Sequence, residues 1–162
     1  MSSQPLLVQT HLFGPVAVDA ESVIEIREGL LGFSHLRRYV LLERPESAPL
    51  FKWLQAVDDP YIAFMVMDPF VAFPEYDLSL SDDDADSLRL SAADDATVLT
   101  LVTIPENPRE MTANLQAPLV ANLRARLAKQ IVLRDATFKT KHLLIERLLP
   151  AAKASSSRSA MA

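Results

Sequence analysis

Phe51-Lys52-Trp53-Leu54-Gln55-Ala56-Val57, Asp58-Asp59-Pro60 and Tyr61-Ile62-Ala63-Phe64-Met65-Val66-Met67 make two runs rich in aromatic and β-branched residues, parted by an acidic, proline-containing break. That pattern predicts a β-hairpin. Side chains alternate along a strand, so Phe51, Trp53, Gln55 and Val57 share one face of the first run and Lys52, Leu54 and Ala56 the other. The second run has no polar face at all. A strand apolar on both sides needs cover on both sides, which makes this hairpin the spine of a core. The one tryptophan, Trp53, sits within it.

Before the hairpin, Leu6 to Phe13 and Val16-Ala17-Val18 read as a first hairpin broken at Gly14-Pro15, Val23 to Ile26 as a short strand, and Tyr39 to Glu43 as another. Between them Glu28-Gly29-Leu30-Leu31-Gly32-Phe33 holds two of the three glycines. Their spacing suits a tight loop that turns Leu30, Leu31 and Phe33 inward. It lacks the third glycine, the lysine and the helix that phosphate binding requires. Arg44 to Pro49 is the loop into the spine.

After the spine, prolines at 69 and 74 predict an edge or irregular strand over Val71 to Tyr76. Phe70, Phe73 and Tyr76 then either plug the mouth of a small barrel or form a surface for an extended or helical peptide. Ser81 followed by three aspartates predicts an N-capped short helix through Leu88. The alternating Asp82, Asp84 and Asp86 are no calcium loop, because Ser87 stands where the turn needs glycine and Ala93 where it needs a bidentate glutamate. Thr97 to Ile104 is the second strongly buried strand, expected near the spine. Leu119 to Leu133 is ambiguous between helix and strands. Lys139 to His142 reads as an edge strand and Leu143 to Leu149 as a short helix ended by Pro150. The folded domain is expected over 1–150, with an Ala/Ser-rich disordered tail over 151–162.

A chain of 162 residues can bury about 70% of its unfolded surface. Its 49% apolar and 23% charged residues are those of an ordinary globular protein. There is no cysteine, which excludes disulfides and thiolate metal sites. No stretch resembles a signal peptide or a membrane helix, so a cytoplasmic location is expected. The net charge of −5 is unevenly distributed. Residues 1–42 carry 3 basic and 4 acidic groups, 43–110 carry 4 and 15, and 111–162 carry 9 and 2. An acidic middle can attract a basic partner, and a basic last third offers an alternative function, RNA binding through Arg124, Arg126, Lys129, Arg134, Lys139 and Lys141.

The catalytic census is thin. His11, His35 and His142 are far apart and lack metal spacing, and Gly32-Phe33-Ser34-His35-Leu36 fails as a nucleophile elbow at its second glycine. No catalytic, cofactor or metal residue is expected.

Several strings together resemble the flagellar assembly factor FliW family: Phe13-Gly14, Glu28 to Phe33, Trp53-Leu54-Gln55 with Asp58-Asp59-Pro60, Ala63-Phe64 through Asp68-Pro69, Thr103-Ile104-Pro105, Met111-Thr112-Ala113-Asn114-Leu115-Gln116-Ala117-Pro118 and Lys129 to Leu133. They run in order over about residues 6 to 142. The resemblance implies a mostly β, small β-barrel-like single domain with short helices and no catalysis. It implies a protein-binding regulator, a chaperone-like partner of flagellin that, when free, binds the translational repressor CsrA and lets flagellin mRNA be translated. In the family the antagonism is allosteric, one regulator sits on each side of the CsrA dimer, and the regulator itself need not touch RNA or membrane. The regulator alone is expected to be a monomer. The resemblance also makes Leu119 to Leu133 a hairpin, although the family's turn glycine is missing from Arg124-Ala125-Arg126-Leu127-Ala128. The residues expected to bind partners are Trp53, Gln55, Asp58, Phe70, Met111, Thr112, Asn114 and Pro118, with the Met111 to Pro118 loop foremost: Thr112, Asn114 and Gln116 offer hydrogen bonds among apolar neighbours.

Overall fold

The computed structural model describes residues 4–43, 50–92, 95–134 and 137–148. The expected loop Arg44 to Pro49, the end of the last helix and the tail over 151–162 lie outside the described residues. In chain order the elements are β1 (Pro5–Thr10), β2 (Gly14–Asp19), β3 (Ile24–Ile26), β4 (Arg38–Leu42), β5 (Phe51–Ala56), β6 (Ala63–Met67), α1 (Pro69–Ala72), α2 (Asp82–Ser87), β7 (Thr97–Thr103), β8 (Thr112–Ala113), β9 (Leu119–Asn122), β10 (Leu127–Gln130) and β11 (His142–Leu143).

The spine hairpin forms as its pattern predicts: β5 and β6 pair antiparallel with Trp53 opposite Met65 and Leu54 opposite Phe64. From it the sheet closes on itself through β7, β9, β10, β3 and β4, a barrel of seven strands in which β7 joins both β6 and β9. Strands of one barrel send alternate side chains inward. Ile24, Ile26, Tyr39, Leu54, Ala56, Val66, Leu99, Leu119, Ala121 and Ala128 accordingly form one buried cluster fed by all seven strands. Each large aliphatic or aromatic side chain among them contributes about 2 kcal/mol by leaving water.

The other face of the spine is covered too. Met67, Val102, Val120 and Leu127 point out of the barrel into a second cluster with Ala72, Phe73, Tyr76, Leu88, Ala113, Leu115, Ile131, Leu133 and Leu144. The β1–β2 hairpin sits beside the β5–β6 turn, where His11 N–H donates to the Pro60 carbonyl at 2.8 Å and the Phe13 ring meets Trp53 edge-on at 6.4 Å. Both sides of Ala63 to Met67 therefore find partners within the chain, while Tyr61 before it stays exposed.

Four local expectations are corrected. Val71 to Tyr76 is no strand: Asp68 Oδ1 accepts the Phe70 N–H at 2.8 Å, Pro69 takes the first helical position, and one turn of helix, α1, results. Asparagine or aspartate followed by proline is a helix start, and that reading outweighs proline as a strand breaker. In the glycine loop Leu31 points to solvent, 65% exposed, while Leu30 and Leu36 are buried. The Leu31 N–H is held outside by Gln130 Oε1 at 2.8 Å. The first turn lies at His11 to Phe13, with Gly14 already in β2. The last strand is His142–Leu143 rather than Lys139 to His142, because the Lys139 carbonyl is occupied by the N–H groups of Leu115 and Gln116. Residues 145–148 follow as a helical turn.

Leu119 to Leu133 is the expected hairpin of β9 and β10. Its turn does without glycine by placing Arg126 at φ +61°, in the left-handed region, at a cost of about 1 kcal/mol. Buried Asn122 stabilises it by accepting the Ala125 N–H at 3.2 Å. The same side chain donates to the carbonyls of Leu88 at 2.9 Å and Arg89 at 3.1 Å, where Arg89 itself has φ +55°.

Candidate partner-binding cleft

Because α1 is a single turn, its residues diverge sharply. Ala72 is buried against the second cluster, whereas Phe70 and Val71 remain 42% and 59% exposed. Tyr76 supports the Phe70 ring at 5.7 Å and is itself fixed, its hydroxyl donating to the Leu115 carbonyl at 2.7 Å while burial pushes its phenol up to about 12. The exposed pair is thus held on a rigid base.

At the end of the barrel where β6 leaves and β7 begins, two concavities of about 470 and 460 Å³ meet across Phe70, Ala96 and Val98. The first continues to Leu50, Val66 and Val71, the second to Leu78, Leu80 and Leu90. Asp68 and Lys52 both line the first concavity, and α2, with exposed Asp82, Asp83 and Asp86, borders the second through Ala85. The result is an apolar floor with charges of both signs at its edge, into which a helix or extended segment with apolar anchors fits.

The acidic helix is moored by Lys129, whose Nζ lies 2.7 Å from Asp84 Oδ1 and 3.9 Å from Glu28. The hydrogen bond from Lys129 holds the Asp84 carboxyl below its ordinary 3.8 and raises Lys129. Between those two acidities the unfolded chain binds the proton and the folded chain does not, so acid destabilises. Asp84→Asn is expected to cost about 1 kcal/mol at neutral pH, a fall of roughly 3 °C in melting temperature. The deficit should shrink as pH drops below 3.8 and through the lowered folded value, and paired melts at neutral and strongly acidic pH check it. A deficit that is the same at both would show that the ion pair is not its source.

Of the residues expected from sequence to bind partners, Phe70 lines the cleft. Trp53 is half-buried under Phe13, with its indole N–H unpartnered among the described residues. Gln55 is fully buried, and its amide nitrogen lies 3.0 to 3.4 Å from the carbonyl oxygens of Ala56, Asp59, Pro60 and Ile62, which share its two N–H groups and are gathered by it into the β5–β6 turn. Asp58 forms a two-pronged pair with Arg38, with Nε to Oδ2 at 3.1 Å. Met111 is half-buried, its carbonyl accepting from Leu144. Thr112 pairs between Thr103 and Leu143. Asn114 Oδ1 accepts the N–H groups of Gln116 and Ala117, an Asx turn. Pro118 is buried and its carbonyl receives Ile131 N–H. Tyr76 links Phe70 to the Leu115 end of the Met111 to Pro118 loop, whereas Trp53, Gln55 and Asp58 are held by other neighbours.

Sequence reasoning missed Val71, Leu78, Leu80, Ala96 and Val98. The available signal was Asp68-Pro69 as a helix start, which would have split Phe70 and Val71 from Ala72. His142 is tied locally: its Nε2 accepts the Lys139 N–H at 2.7 Å, and burial with Lys139 and Arg147 nearby lowers its pKa. Among the described residues no cluster of histidine and carboxylates is placed to hold a metal ion, and no helix is long and apolar enough to cross a membrane.

The family model described as FliW protein matches residues 7–144. A flagellar assembly factor FliW of Alkaliphilus metalliredigens is 37% identical over 143 residues, covering 88% of each chain. That of Bdellovibrio bacteriovorus is 41% identical, covering 88% of this chain and 81% of its own. A crystal structure of the flagellar assembly factor FliW superposes with TM-score 0.80 at 31% identity, covering 86% of this chain and 96% of that one. With its barrel, its spine hairpin and nearly its whole described length matched, the chain belongs to the FliW family of flagellar assembly factors.

Proposed function

We propose that this protein is a non-enzymatic, cytoplasmic regulator of flagellar assembly that binds flagellin and, when free of it, binds and antagonises the repressor CsrA so that flagellin mRNA is translated. Alone it is a monomer, and with the CsrA dimer it forms a heteromeric complex. The observation that carries this reading is the cleft beside α1. Exposing two large apolar side chains on a one-turn helix has no folding advantage, and an apolar floor edged by charged side chains suits a partner segment with apolar anchors.

Phe70→Asp combined with Val71→Asp tests it. Both side chains are already exposed, so the melting temperature should stay within about 3 °C. Calorimetric titration with flagellin and with CsrA should show at least about a tenfold loss toward one of them, as expected for an apolar anchor. Unchanged affinity for both would remove the cleft from the site, and a native protein that binds neither would end the reading.

A further inference from the structure

Apart from the cleft, a second surface gathers Arg27, Arg37, Arg38, Arg89 and Arg126 around one open basin of about 660 Å³, with Glu25 as the lone carboxylate in its lining. The five come from four separate stretches of a chain whose net charge is −5. Arg27 approaches Glu25 at 3.4 Å and Arg38 is forked onto Asp58. Among the described residues no carboxylate pairs with Arg37, Arg89 or Arg126. Arg89 and Arg126 are also the non-glycine residues described with positive φ, +55° and +61°. Glycine would occupy either position without strain. The chain instead places an arginine at each, lines the same basin with both, and clasps the two turns with one buried side chain, Asn122. Strain and like-charge repulsion concentrated at one spot oppose folding and mark a site where a ligand provides the compensation.

We propose that this basin docks an acidic segment of a partner protein. Guanidinium groups accept carboxylates in a planar two-pronged geometry, and unpaired arginines facing one concavity offer several such forks. The rest of the lining is apolar, with Leu6, Val23 and Leu127 among it and no aromatic ring. Single-stranded RNA is gripped through bases stacked on rings, which this lining lacks, whereas a peptide alternating carboxylates and aliphatic side chains matches both parts of it. Screening over about 10 Å lets a short acidic segment feel the basin without the acidic remainder of the surface, which an extended polyanion would also meet. The proposal stands independently of which partner fills the α1 cleft.

Fluorescence anisotropy with the full chain tests it, using a labelled peptide alternating glutamate and leucine, the same peptide with lysine for glutamate, and oligouridine of equal length. The Glu/Leu peptide should bind, weaken as salt rises, and lose at least about tenfold in affinity to the Arg89→Gly, Arg126→Gly double variant. That variant should melt no lower than the native protein, since both changes relieve a positive-φ strain, so lost binding cannot be lost folding. Arg37→Gln, at an exposed position without positive φ, should give a smaller loss of about threefold. No binding of the Glu/Leu peptide, equal binding by the double variant, or tighter binding of oligouridine would each overturn the proposal.

Discussion

Gly29→Ala is expected to lower the melting temperature by about 10 °C. Two costs combine. Gly29 has φ +67°, which a Cβ-bearing residue adopts at roughly 1 kcal/mol. The added Cβ would also lie 2.6 Å from Ser34 Cα and 2.7 Å from the Phe33 carbonyl oxygen. Both obstacles are backbone, so no side chain can swing aside. The backbone that must move is held on either side: Gly29 N–H donates to Ile26 O at 2.9 Å and Phe33 N–H to Leu30 O at 2.8 Å. Leu30 and Leu36 are fully packed in the barrel interior and Phe33 meets Phe64 edge-on at 5.1 Å. Forcing that plug outward adds about 2 kcal/mol, for a total near 3 kcal/mol against a typical domain stability of about 5–15 kcal/mol. Gly14→Ala is the control. Gly14 has the same φ of +67°, and a methyl group added there would meet nothing within 4 Å, so it should cost only the torsional part, about 1 kcal/mol. Equal melting shifts for the two variants would refute the steric argument.

This glycine loop shows where sequence reading succeeds and stops. Two glycines flanking leucines announced a tight loop feeding the core, and that is what forms. Which leucine goes inward depended on Gln130, a residue about a hundred positions away whose carbonyl oxygen holds the Leu31 N–H outside. The spine was legible because its alternation and its two-sided apolar run are properties of consecutive residues. The barrel closure, β7 joining β9 as well as β6, is a long-range pairing that no local pattern encodes. The candidate cleft was less legible for a related reason. Trp53, Gln55, Asn114 and Pro118 are conspicuous as residue types, yet a buried amide that organises a turn and an amide that meets a partner look alike in sequence. Phe70 lines the candidate cleft, and Val71, Leu78 and Val98 join it in a concavity that exists only once α1 and the start of β7 are placed side by side. The arginine basin is the extreme case, since Arg37, Arg89 and Arg126 become neighbours only in the folded chain. Splitting the charge by sequence thirds hid it: the acidic middle contributes Arg89 to the arginine-lined basin.

The cleft and the basin give one small barrel two chemically different surfaces, one mainly apolar and one rich in arginine, built on different parts of the sheet. The cleft draws on α1, α2 and the first residues of β7, the basin on β3, β4 and the β9–β10 turn. Two linings so different in character would select different segments, the cleft by apolar anchors and the basin by charge.

Asn122→Ala should be the second most damaging substitution, and it reaches the basin without touching an arginine. Asn122 is 6% exposed, and alanine removes both donors, to Leu88 O and Arg89 O, and the acceptor for Ala125 N–H. Losing these bonds in a buried setting costs about 3 kcal/mol, a fall near 9 °C in melting temperature. The effect should be local before it is global. The Ala125 amide should lose protection in hydrogen exchange while the Leu54 and Val66 amides of the spine keep theirs. Arg89 and Arg126 flank the released bonds, so binding of the Glu/Leu peptide should weaken even though every guanidinium remains. Asn122→Asp separates geometry from capping: it retains the acceptor for Ala125 but turns a carboxylate toward two carbonyl oxygens in a dry site, and it should be at least as destabilising as alanine. A melting temperature within about 2 °C of native for Asn122→Ala, or unaltered exchange at Ala125, would mean that the two strained turns hold themselves, and that Asn122 merely fills the space between them.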